Sequence, residues 1–145
     1  MRWISAVLLG AFVGAASAND VGQVKVTKGV AHVERDGARM PVVVGMPIRQ
    51  SDKLVTGADG TVGVTFADNS LLSAGPNSTL VVDKFSFNAS THEGQFDASL
   101  QRGTLAVISG KMVKQSPDAM RIRTPASILG VRGTEFVVKV ADPGS

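Results

Sequence analysis

The sequence predicts an all-β protein, on three observations. Its apolar segments are short, β-branched and bounded by turn residues. Sixteen glycines and six prolines punctuate the 145 residues, as expected where the chain turns often. No window after residue 18 holds a helical period for three turns. The expected architecture is a single compact domain with its core over about residues 21–140. It is either an irregular solenoid-like coil of strands or a rolled sheet, and a two-sheet sandwich is the alternative that the same alternation allows.

Residues 1–18 read as a signal peptide. Arg2 is a minimal basic start, residues 3–15 are uncharged and mostly apolar, and Ala16-Ser17-Ala18 is a small-x-small cleavage site. The apolar run is shorter than the roughly 20 residues that a bilayer span needs. The expectation is export to the periplasm and no membrane insertion after cleavage, with residues 19–145 forming the domain. Strands are then expected at 24–27, 31–35, 42–44, 54–56, 62–66, 71–72, 79–87, 96–100, 105–108, 120–124 and 135–140. Asp36-Gly37 and Asp59-Gly60 suit hairpin turns, where positive φ favours Asp, Asn and Gly. Asp68-Asn69-Ser70 reads as a further turn between strands. A pattern G-T-x-x-V recurs at Gly60, Gly103 and Gly133, with a near match at Gly29. Either the chain reuses one turn-to-strand solution, or a supersecondary unit is repeated.

Composition removes several functions. Cysteine is absent, which excludes disulfides, thiol nucleophiles, thiolate metal sites and a lipidated cysteine anchor. Fifteen Lys and Arg stand against twelve Asp and Glu, and the basic residues are scattered, so no nucleic-acid footprint is expected. The chain is long enough to bury a core without metal or disulfide.

Catalytic candidates are few. His32 falls inside a strand and is expected to be partly buried, and His92 in a polar loop is expected to be exposed. The two form no zinc set, and no G-x-S-x-G elbow occurs. Ser109-Gly110-Lys111-Met112 ends like a phosphate loop but lacks its first glycine and its Ser or Thr. Gly130-Val131-Arg132-Gly133 matches a G-x-x-G nucleotide clamp, yet a strand follows it where that clamp needs helices. No catalytic residue, metal or cofactor is expected.

Four stretches carry a resemblance, in order. "VTKGVAHVERDG" (26–37) opens it, and "VGMPIRQSDKLVTGADGTVGVTFADNSLLSAGPNSTLVV" (44–82) is the most recognisable block. "RGTLAV" (102–107) and "TPASILGVRGTEFVV" (124–138) close it. Together they resemble the FecR family over most of residues 21–138. Ser51 stands where that family usually has glycine. Its best-known members join a cytoplasmic anti-sigma segment, a membrane helix and a periplasmic part. The signal-peptide start implies instead a stand-alone periplasmic domain whose partner is another envelope protein.

The stretch 124–138 has two readings. In one it is a structural corner: Thr124 and Pro125 set an extended approach, Gly130 and Gly133 permit the turn before Thr134, and Arg132 caps carbonyls. In the other, Arg132 joins Arg121 and Arg123, which share one sheet face, in a basic patch for an acidic partner. The function expected is a non-catalytic protein-interaction module of an envelope signalling or scaffolding system. An unrecognised periplasmic hydrolase is the alternative.

Overall fold

Alternating burial along the chain builds a sheet that curls on itself. The computed structural model describes residues 20–130 and 135–140, and among these it forms twelve strands and one short helix. The first half of the sheet contains β1 (Asp20–Lys28), β4 (Pro47–Arg49), β6 (Thr61–Phe66), β7 (Leu71–Ala74) and β12 (Glu135–Val140). The second half contains β2 (Ala31–Arg35), β3 (Ala38–Pro41), β5 (Lys53–Thr56), β8 (Thr79–Phe87), β10 (Met120–Arg123) and β11 (Ile128–Gly130). The 15-residue β9 (Gly94–Ile108) belongs to both. Its first part lies between β8 and β10, and its last part between β7 and β12. All pairings are antiparallel except β9 with β10.

The bend in β9 falls at Gly103, with φ +91. A Cβ there would lie 2.1 Å from Ser78 Oγ, so only glycine fits. The curled halves close over one apolar core. Val24, Val64, Leu72 and Leu105 come from one half, and Val33, Leu54, Val82, Phe96 and Ile122 from the other. Phe66 of the first half packs on Phe85 and Phe96 of the second, with ring centroids 5.6 and 4.6 Å away. Phe85 meets Phe96 edge-on at 5.0 Å, the geometry that aromatic quadrupoles favour.

The all-β expectation holds, in its rolled-sheet form. Several details differ. Residues 42–44 are not a strand: only Val42 is buried, while Val43 and Val44 are exposed. That segment crosses between the halves, with Val42 N–H bonded to Ala31 O and Gly45 N–H to Val24 O. Residues 96–100 and 105–108 are one strand, because Gly103 bends the backbone without ending it. β4, β11 and the helix α1 (Lys111–Gln115) had no local signal, being three to five residues long. α1 buries Met112 and Val113.

Asp36-Gly37 does make the β2–β3 hairpin, with φ of 51 and 80. Asp59-Gly60 does not make one, since β5 and β6 lie in different halves. Gly60 is needed for close approach instead: a Cβ there would sit 2.1 Å from Val30 O. The recurring G-T-x-x-V is therefore not one repeated unit. Gly29 and Gly60 lie where the chain passes between the halves, Gly103 is inside a strand, and Gly133 lies outside the described residues.

Candidate interaction site

Five buried polar residues of the recognisable blocks, Asp52, Thr56, Asp68, Ser70 and Ser78, are bound up in three networks. Asp52, 1 % exposed, takes two hydrogen bonds from Arg35, at 2.8 Å from Nε and 2.6 Å from Nη2, and one from Arg49 N–H at 2.8 Å. The Asp52 carboxylate, accepting these bonds, raises the Arg35 pKa above its ordinary value. Thr56, Ser78 and Thr104 form the second. Ser78 N–H donates to Thr56 Oγ1, Thr56 Oγ1–H to Gly75 O, and Thr104 N–H to Ser78 Oγ. In the third, the turn Asp68-Asn69-Ser70 is fully buried at both ends. Ser70 Oγ–H donates to Asp68 Oδ2 at 2.8 Å, and Ser70 Oγ accepts from Gly110 N–H at 3.1 Å. Lys111 N–H donates to Asp68 O at 2.8 Å, which ties the start of α1 to the β6–β7 hairpin.

These groups satisfy one another, as buried polar groups must. Ser70, whose hydroxyl lies against the Asp68 carboxylate, is completely buried and closed to a substrate. His32 is half-buried, as expected, and contacts Glu34 Oε2 at 3.1 Å. That contact lowers the Glu34 pKa. His92 differs from expectation: it is half-buried and stacked on Phe87, ring centroids 6.0 Å apart. Among the described residues no group of three or more His, Asp and Glu could hold a metal.

One surface with exposed cations, unpaired among the described residues, lies on β10, beside β11. Met120 and Ile122 point into the core, so Arg121 and Arg123 point out together, both exposed. Among the described residues neither has an ion-pair partner. Their cross-strand neighbours on β11 are Gly130 and Ile128. Ile128 is 59 % exposed, an apolar side chain across from Arg123. On the other side Arg121 neighbours Asp97 of β9, which in turn neighbours Lys84 of β8. Arg123 neighbours Ser99, whose hydroxyl is held by Asp83. Asp97 is itself buried, so along this row the face presents the cations Lys84 and Arg121, with Arg123 beside them. That pattern suits a protein surface with carboxylates, which guanidinium forks bind in pairs.

Thr124 and Pro125 belong to the tight β10–β11 turn. Thr124 N–H donates to Ser127 O at 2.8 Å, and Ser127 N–H donates to Thr124 Oγ1 at 3.1 Å. Gly130 is the last residue of β11, its φ is outside the left-handed region, and a Cβ there would meet open space. Arg132, Gly133 and Thr134 lie outside the described residues. The structure therefore brings together Arg121, Arg123, Thr124, Pro125 and Gly130. Sequence reasoning missed Ile128 and Asp97, because nothing local shows which strands adjoin β10.

No curated protein and no solved structure matches the chain. The family model described as FecR protein matches residues 52–145, more than half of the chain. That span takes in two of the three networks whole and the Asp52 end of the other, together with the β10–β11 face, and the chain belongs to the FecR family.

Proposed function

We propose that this chain is a non-catalytic protein-interaction module of the periplasm, exported by residues 1–18 and serving an envelope signalling or scaffolding system. Family membership supports the signalling-related interaction role. Among the described residues no helix is long and apolar enough to cross a membrane. The partner is another envelope protein carrying exposed carboxylates, which docks on Arg121, Arg123 and Ile128. One observation carries this reading: these two cations are exposed, unpaired among the described residues and share a face with an exposed apolar side chain across from Arg123. Asp52, Asp68, Ser70 and Ser78 of the family blocks are consumed by the fold. An apolar anchor with a charged rim is the usual anatomy of a docking site.

Crosslinking in intact cells followed by pull-down tests it. The parent is compared with an Arg121→Glu, Arg123→Glu double variant whose melting temperature matches the parent's. The variant is expected to recover at least tenfold less partner, since reversing two rim charges turns attraction into repulsion. Equal recovery would discard docking on this face, and turnover of a substrate by the purified protein would overturn the non-catalytic reading.

A further inference from the structure

Each half of the sheet ends in two edge strands, and β12 differs from the other three. β3 carries Arg39 and ends at Pro41, β4 begins at Pro47, and β4 and β11 span only three residues each. Proline and short length are among the usual means of keeping an edge from pairing, and so is unmatched charge; the two charges of β12, Glu135 and Lys139, are of opposite sign. β12 has six residues, Glu-Phe-Val-Val-Lys-Val, with no proline or glycine. One side pairs with β9, and among the described residues no strand covers the other.

The outward face of β12 has a symmetry of its own. Val138 is buried and Phe136 and Val140 are half-buried against the core, while Glu135, Val137 and Lys139 are exposed. The three exposed residues read acid, valine, base. If β12 met a second β12 in antiparallel fashion with Val137 opposite Val137, each Glu135 would lie opposite a Lys139. A slip of one residue would set outward side chains against inward ones. A slip of two would separate Glu135 from Lys139. Only one register therefore matches both the faces and the charges.

The surface behind β12 continues the match. Successive cross-strand neighbours run Val26, Gly63, Ser73, Ala106 and Val137 over β1, β6, β7, β9 and β12. The three middle residues are small and leave an apolar groove of about 460 Å³. Val26, 48 % exposed, lines it on β1, and Val137, 65 % exposed, stands on β12 next to its lining residue Ala106. A valine from a second copy beside Val137 would continue this apolar row across the joint.

We propose that a second copy of this chain adds to the free edge of β12, antiparallel and centred on Val137, so that the first halves of two molecules form one continuous sheet about a two-fold axis. The contact is isologous and closes on itself, giving a dimer and not a filament. It is independent of Arg121 and Arg123, which lie on the second half, so either proposal can fail without the other.

Sedimentation equilibrium of the purified chain decides the matter. The parent is expected to dimerise. Glu135→Lys alone, or Lys139→Glu alone, turns both opposite-charge pairs into like-charge pairs and is expected to raise the dimer dissociation constant roughly tenfold or more. An equimolar mixture of the two variants should regain association, because every cross-strand pair is then opposite in charge. That recovery also shows that both variants are folded. A parent that stays monomeric overturns the proposal, whether residues 1–19 or another protein covers this edge. So does a dimer indifferent to either reversal.

Discussion

Gly103 and Ser51 show how much of this fold rests on single backbone positions. At Gly103 the left-handed φ and the contact with Ser78 act together. Gly103→Ala is expected to cost at least about 2 kcal/mol, from αL strain plus overlap, and a thermal melt equal to the parent's would refute it. Ser51 also sits in the left-handed region, at φ 78, exposed at the turn before Asp52. The family's usual glycine suits that conformation. Ser51→Gly should therefore stabilise by about 0.5–1 kcal/mol, the relief of strain exceeding the added chain entropy of glycine. A fall in melting temperature would show that the serine side chain contributes more than the backbone strain removes. Asp68 and Ser70 add a second means: Asn69 between them also takes a left-handed φ, 72, while the value of the two flanking side chains lies in donors brought from residues 110–112.

Among the elements, β9 organises the rest. Its backbone is paired on both sides in both halves, whereas β11 pairs with β10 alone. Opening β9 requires both halves to separate, so its amides should exchange only through global unfolding, and those of β11 by local opening. Hydrogen exchange read by NMR should thus rank residues 96–99 and 104–107 slowest and residues 128–130 fast. Comparable rates in the two strands would contradict the central place of β9. The same contrast supports the functional proposal, since a docking edge is drawn from the less stable end of the structure while Arg121 and Arg123 remain fixed on a strand bonded to β9.

For the molecule as a whole, the joint between the halves is the Phe66–Phe85–Phe96 cluster. Phe96 is fully buried, and its truncation removes contacts to both halves at once. Phe96→Ala is expected to destabilise by about 3–5 kcal/mol and to leave one cooperative transition at lower denaturant. Two separated transitions would mean that the halves are independent units joined by β9. The curl also accounts for the division of labour. It turns Asp52, Asp68, Ser70 and Ser78 inward as fastening and, among the described residues, leaves the β10–β11 face and the β12 edge open.

What the chain determined by itself was what depends on near neighbours. The all-β class follows from β-branched runs and turn residues, the Asp36-Gly37 hairpin from two residues that tolerate positive φ, and the common face of Arg121 and Arg123 from the two-residue period of a strand. Pairing depends on distant residues, and there local reading failed. Residues 42–44 have strand propensity but run along no single strand: Val42 bonds to β2 and Gly45 to β1, so the segment crosses between the halves. Arg102-Gly103 looks like a turn, yet it continues β9 because β7 and β12 wait on the far side of the bend. Asp68 finds Met112 across 44 residues, and Arg35 finds Asp52 across 17. Only the tertiary structure could decide which polar residues are consumed by the core and which are left exposed, because burial belongs to the packed sheet and not to any stretch of it.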